Sequence, residues 1–88
     1  MKTPIPNTLK ERRKQAGLRQ MDVANTLGFH SIDRICRWEK GRAYPHVRNL
    51  FKLSKLYGVK PHELYAELLE NLQVDESQLP EEKRIKFT

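Results

Sequence analysis

The sequence has one cysteine, Cys36, so it can close no internal disulfide. Its three histidines, His30, His46 and His62, stand 16 residues apart on different elements. Without a second cysteine they complete no zinc-binding pattern, and neither a metal nor a cofactor is expected. Apolar runs are short: none approaches the ~18 residues of a membrane span, and the opening MKTPIPNT lacks the apolar core of a signal peptide. The expectation is a cytoplasmic chain with no membrane partner. No nucleophile stands in a pattern with a base and an acid, and no glycine-rich loop is shaped to cradle phosphate, which argues against an enzyme. Acid is also scarce over most of the chain, with only Glu11, Asp22, Asp33 and Glu39 before Pro61.

Basic residues are plentiful. The net charge of +6 is unevenly spread: up to Lys60 there are fourteen Lys and Arg against four acids, giving +10, whereas from Pro61 onward three stand against seven, giving −4. The basic part suits a phosphate surface, although charge alone does not separate nucleic-acid binding from mere solubility. With 88 residues there is room for one domain, expected at residues 7–72 between an arm (1–6) and a tail (73–88). A domain of about 65 residues buries only about 60% of its unfolded-chain surface, so its stability is modest and association helps it.

Residues 3–6 form a proline-punctuated arm, and Ile5, preceding Pro6, is steered toward extended conformations. Helix 1 is predicted to begin at Asn7 or Thr8, with Thr8 and Glu11 as a capping box and Gly17 as its left-handed end. Leu9 and Ala16 are expected to face inward. Arg13 lies on the same stripe, and an inward arginine needs a carboxylate because an unpaired buried charge costs several kcal/mol. Helix 2 is predicted over 20–27 and stops at Gly28; Val23, Ala24 and Leu27 form its small apolar face. Helix 3 is predicted over 32–40 with Ser31 as its N-cap, Ile35 and Trp38 inward, and Asp33, Arg34 and Arg37 outward. A short helix with arginines on its free face is a candidate reader of nucleic acid.

The loop 41–45 contains Gly41 and Pro45, which keep it from being helical. Helix 4 is predicted over 47–57, with Val47, Leu50, Phe51, Leu53, Leu56 and Tyr57 as a broad apolar stripe and Gly58 closing it. Helix 5 is predicted from Pro61 to about residue 72. Its Leu64, Tyr65, Leu68, Leu69 and Leu72 are more than a last helix needs, so Leu68, Leu69 and Leu72 are a candidate dimer surface. The tail is mostly polar, as disordered segments are, although RIKFT at its end alternates like a short strand that can pair in a dimer or with another protein.

The segments LKERRKQAGLRQ, VANTLG, ICRWEKG and LFKLSKLYGVKPHEL, in this order and spacing, resemble the helix-turn-helix family of phage repressors of the Cro and Xre type. The resemblance covers residues 9–65, about two thirds of the chain. It implies an all-α, five-helix lambda-repressor-like domain, dimeric binding to an operator in double-stranded DNA, and helix 3 in the major groove. It also implies that Arg13 pairs with Glu39, clamping helix 1 to helix 3. Gln20 matches the family glutamine assigned to the DNA backbone and to orienting the first recognition residue. Three positions depart from the family pattern. Arg19 replaces the Ser or Thr that caps helix 2; the turn 28–31 is one residue longer than the commonest spacing; and His46 and Lys60 stand where small polar caps are frequent.

Base reading is expected from Arg37 and Arg34, whose guanidinium groups suit guanine O6 and N7. Asp33 can accept from cytosine N4 or orient Arg37 through an i,i+4 ion pair. Ile32 can touch a thymine methyl or pack. Phosphate contacts are expected from Arg19, Gln20 and Ser31 near the helix 2 and helix 3 starts, and from Lys40, Arg42 and Tyr44 beyond helix 3. Trp38 reads as core and not as a base-stacking aromatic. The expected function is a sequence-specific DNA-binding transcriptional regulator, most simply a dimeric repressor. The alternative is an antitoxin-like interaction protein whose tail, residues 73–88, binds a partner protein.

Overall fold

The computed structural model describes residues 3–85 and is all-α among them. Five helices follow in order: α1 (Leu9–Gln15), α2 (Gln20–Thr26), α3 (Asp33–Glu39), α4 (Val47–Tyr57) and α5 (Ala66–Asn71). A 3-10 turn, Pro61–Tyr65, leads into α5, and another, Glu81–Lys83, lies in the tail. The RIKFT segment falls partly outside the described residues, which contain no strand; Ile85 stands in solvent.

One core organises the helices. Leu9 of α1, Val23 and Ala24 of α2, Ile35 and Trp38 of α3, Leu53 and Tyr57 of α4, and Leu64 of the 3-10 turn are all buried and packed together. Each of α1 to α4 supplies one or two such residues, and α5 none; α1 packs on α3 and α4 while α2 packs on α3. The three helices of seven residues are too short to hold in isolation, and their stability comes from this shared core.

Several local expectations are corrected. The Thr8–Glu11 capping box does not form: the Thr8 hydroxyl donates to the Glu63 carbonyl (2.9 Å), and Asn7 Oδ1 accepts from the Leu9 N–H instead (3.1 Å). Ala16 is exposed, because it is the C-cap of α1 and lies beyond the last turn that packs. On α4 the apolar stripe is only partly buried, with Leu53 and Tyr57 inside and Val47 and Phe51 in solvent, since they lie round the helix from the face that meets the core. The start of the fifth helix is 3-10 in character, and its Lys60 N–H is capped from behind by Glu63 Oε2 (2.7 Å). His46 caps α4 by accepting the Arg48 N–H at Nδ1 (3.3 Å).

The N-terminal arm is tied to the domain. The Ile5 N–H donates to the Gly41 carbonyl (2.8 Å), and Asn7 Nδ2 donates to the carbonyls of Ile5 (3.0 Å) and Glu39 (3.4 Å). Gly41 has φ 71, and a Cβ there would stand 2.5 Å from the Ile5 carbonyl oxygen, so only glycine lets the arm lie across the end of α3.

Candidate nucleic-acid interface

Helix α3 owes its position to a buried polar network. Arg13 Nε and Nη2 donate to the two carboxylate oxygens of Glu39 at 2.7 and 3.1 Å, the fork-on-carboxylate arrangement that suits a guanidinium. Arg13 Nη1 donates to the Leu18 carbonyl (2.9 Å), and Gln20 Nε2 donates to Glu39 Oε1 (3.1 Å). The two charged side chains are 10% and 4% exposed, so their mutual hydrogen bonds replace the water they have lost. The Glu39 hydrogen bond raises the Arg13 pKa further, which keeps the guanidinium charged at any pH the fold survives. Tyr57 lies within the field of the pair; burial first, and then the Glu39 charge, push its hydroxyl up to about 12, with Arg13 acting in the opposite direction. Last in α3, Glu39 therefore binds that helix to α1 through Arg13, to α2 through Gln20, and to the arm through its carbonyl.

With Ile35 and Trp38 turned into the core, Asp33, Arg34 and Arg37 stand on the free face of α3, and Lys40 follows at its end. The structure brings most of the expected site residues together in neighbouring depressions. One, of about 380 Å³, is lined by Asp33, Cys36, Arg37, Lys40 and Arg42. The next, of about 430 Å³, is lined by Phe29, Ser31 and Arg34 together with Gly28 and His30. Lys40, Arg42 and Tyr44 also border a larger cleft of about 1000 Å³ whose other wall is the arm, Thr3, Pro4 and Ile5. Tyr44 is largely exposed and its ring lies 6.0 Å from that of Tyr65.

The finer placements differ in three respects. Ser31 is not the N-cap of α3: Ile32 takes that position and is exposed, while the Ser31 hydroxyl accepts from the Asp33 N–H at 3.4 Å. The helix thus begins one residue later than expected, with both Ser31 and Ile32 left in the turn. Asp33 and Arg37 do not form an ion pair; among the described residues the pairs are Arg13–Glu39 and Arg19–Asp22, and two exposed side chains gain little from meeting. Arg19 caps nothing with its own side chain, as expected of a group without an acceptor, and what differs is its partner. Its N–H is taken by Asp22 Oδ2 (2.8 Å) and its guanidinium pairs with Asp22 (3.2 Å), so the acid at the third position does the capping. Gln20 is half-buried and turned to Glu39.

Phe29 is a site residue that sequence reasoning passed over. Its ring meets Trp38 edge-on at 5.9 Å, and the Arg34 guanidinium lies over it at 4.7 Å, so the turn supplies a platform that directs one of the exposed arginines. The available signal was an aromatic residue in a turn where polar residues are the rule. The arm reads as an extended segment, but its place at the wall of the cleft beside Lys40 and Arg42 was passed over; its signal was Asn7, next to prolines that hold the segment open to pairing.

A short helix with a basic outer face, carried on a second helix and oriented by a buried clamp, is the arrangement of a helix-turn-helix domain. Residues 9–64 match the helix-turn-helix family, and the chain belongs to it, in its Cro and Xre branch of DNA-binding transcriptional regulators. Among curated proteins, an uncharacterized HTH-type transcriptional regulator of Methanocaldococcus jannaschii is 36% identical over 61 residues, covering 69% of this chain and 91% of that protein. No solved structure matches the chain at a significant level.

Proposed function

We propose that the chain is a sequence-specific regulator that binds double-stranded DNA as a homodimer and represses transcription by occluding a promoter. Helix α3 enters the major groove, and the two copies engage half-sites about one helical turn, ~34 Å, apart. The observation that carries this reading is the division of α3 into a face fixed by Ile35, Trp38 and Glu39 and a free face bearing Arg34 and Arg37. In this reading Arg37 and Arg34 read guanine edges, with Asp33 and Ile32 beside them. Arg19, Gln20, Ser31, Lys40, Arg42 and Tyr44 lie against phosphates and set the register. The chain acts in the cytoplasm by binding and not by catalysis.

The test is selection of preferred duplexes from a randomised pool, followed by gel shifts of selected and random duplexes over a salt series. The selected duplex is expected to bind more tightly at every salt concentration. Arg37→Ala costs about 1–3 kcal/mol and relaxes preference at one position, whereas Lys40→Ala weakens all duplexes alike and lowers the salt slope by about 1. A steep salt slope with no preference between duplexes leaves only phosphate binding and refutes the base-reading roles.

A second reading is favoured by the exposure of Leu72, Val74, Leu79 and Ile85 along the tail. Here the chain is antitoxin-like and residues 73–88 cover a partner protein. A stoichiometric partner that co-purifies with the full chain and is lost on truncation after Leu72 supports it.

A further inference from the structure

We infer that the acidic segment 66–82 of one copy docks on the exposed face of α4 in a second copy, so that two chains exchange these segments reciprocally. The inference rests on the homodimer proposed above and assigns its surfaces.

The receiving face is basic and apolar at once. Phe51 is 53% exposed in the middle of α4 and shares a depression of about 270 Å³ with Arg48, Lys52 and Lys55. Lys52 and Lys55 also border a second depression, of about 340 Å³, lined as well by Thr26, Leu27 and Leu56. The face is thus continuous, carries three cations, and includes no acid. It lies away from the basic surface of α3, since none of its residues lines the depressions around Arg34 and Arg37.

The complementary chemistry is in the same chain. Residues 66–82 contain Glu67, Glu70, Asp75, Glu76, Glu81 and Glu82 and no Lys or Arg, with leucines and a valine between the acids. Leu72 and Val74 are 62% and 80% exposed, so the apolar part of this segment is uncovered in its own chain. Among the described residues, the segment beyond residue 72 makes only local hydrogen bonds, such as Asp75 accepting from the Ser77 N–H and the Glu76 carbonyl from the Leu79 N–H. The radius of gyration is 15.5 Å, where a compact chain of this length has about 12 Å. The segment therefore projects from its own domain and is free to reach another.

A reciprocal exchange uses one patch and one segment from each copy. It closes as a two-fold dimer and leaves no open end from which a filament grows. Phe51 supplies the buried aromatic anchor, and the surrounding charges set register and choice of partner.

The test uses the full chain and two double variants, followed by sedimentation over a concentration series at low and high salt. Lys52→Glu/Lys55→Glu makes the face acidic, and Glu70→Lys/Glu76→Lys makes the segment basic. Each variant alone places like charges together in both contacts and is expected to self-associate at least about 30-fold more weakly than the parent. An equimolar mixture restores both contacts in the heterodimer and is expected to regain parental association, which also demonstrates that both variants are folded. Persistent dimerisation of either variant overturns the inference while leaving the homodimer intact, as does a mixture without rescue. A parent chain that stays monomeric with and without DNA overturns the homodimer as well. A reversal that alters only DNA affinity, or only the hydrodynamic radius of a monomer, overturns the exchange in favour of a phosphate contact or of the chain's own segment folding back.

Discussion

Replacing Arg13 by alanine leaves the Glu39 carboxylate buried beside α1 with one remaining side-chain donor, Gln20 Nε2 at 3.1 Å. Breaking a buried, hydrogen-bonded ion pair by removing one partner costs about 3–5 kcal/mol. The surviving Gln20 bond places Arg13→Ala near the lower end, at about 3 kcal/mol. Glu39→Ala strands a guanidinium that keeps only the Leu18 carbonyl and also deprives Gln20 of its acceptor, so its loss is at least as large. A domain of about 65 residues has a total stability of about 3–10 kcal/mol, so either change removes a large share of it. In a domain of this size, a loss of 3 kcal/mol lowers the melting temperature by roughly 12–24 °C. The double variant Arg13→Met/Glu39→Leu removes both charges and fills the space with apolar groups, and it is expected to cost about 1 kcal/mol or less. Urea unfolding followed through the buried Trp38, the sole tryptophan, measures all three. Single losses that are each below about 1 kcal/mol and that simply add in the double variant would refute the clamp.

Three further outcomes are expected. Gly41→Ala drives a Cβ against the Ile5 backbone at 2.5 and 2.6 Å, and it should cost more than the ~1–2 kcal/mol of the left-handed conformation alone. Gly28→Ala, which meets nothing within 4 Å, is its control. Hydrogen exchange at the Ile5 amide should accelerate in the first variant and not in the second. The Arg19 guanidinium, and next the Arg19 N–H, hold the Asp22 carboxyl below its usual 3.8. Its contribution is therefore present above that value and lost as the pH falls through the depressed folded-state value. Melts of Asp22→Asn should differ from the parent at neutral pH and converge with it in strong acid; a difference independent of pH would contradict this. The Tyr65 hydroxyl is buried without a hydrogen-bond partner among the described residues. Tyr65→Phe should leave stability unchanged or raise it by up to about 1 kcal/mol, and a clear loss in thermal melts would mean that the hydroxyl is bonded.

Local rules reached some of these features and not others. Helix α4 is legible to its ends because apolar residues at helical spacing run through its 11 residues into Gly58. The burial of Ile35 and Trp38 follows from their spacing and from the charged Asp33, Arg34 and Arg37 around them. What escaped depends on partners distant in sequence. Thr8 looks like a cap for its own helix, yet its hydroxyl goes to Glu63, 55 residues away. Phe51 and Leu53 read alike on a hydrophobic stripe, but only the second meets the core, since the width of the face that packs is set by the neighbouring helices. The arm across Gly41 is invisible until the end of α3 and the N-terminus are brought together. At the candidate interface, the exposed arginines follow from periodicity, whereas Phe29 beneath Arg34 depends on how the long turn folds back.

The base-reading role proposed for α3 falls on a helix of only seven residues. Isolated helices shorter than about 12–15 residues are marginal in water, so the direction of α3 cannot come from α3 itself. Bidentate contact with a base edge tolerates errors of well under an ångström. Glu39 meets that demand because it fixes the C-terminal end of α3 at three points, Arg13, Gln20 and Asn7, drawn from three different segments. The N-terminal end has fewer directed bonds: a 3.4 Å bond from the Asp33 N–H to Ser31, with Ile35 buried in the core and the Arg34 guanidinium over Phe29. The helix is therefore fixed by side-chain hydrogen bonds behind and chiefly by packing in front. Its first turn, with Ile32, Asp33 and Arg34, retains room to adjust against a groove while Arg37, nearer the clamp, keeps its place. On the base-reading roles proposed for them, specificity should accordingly be sharper at a base pair met by Arg37 than at one met by Arg34. Comparison of single-position duplex variants against Arg37→Ala and Arg34→Ala measures this directly. Equal discrimination at the two positions would mean that the clamp at Glu39 does not set the precision of reading.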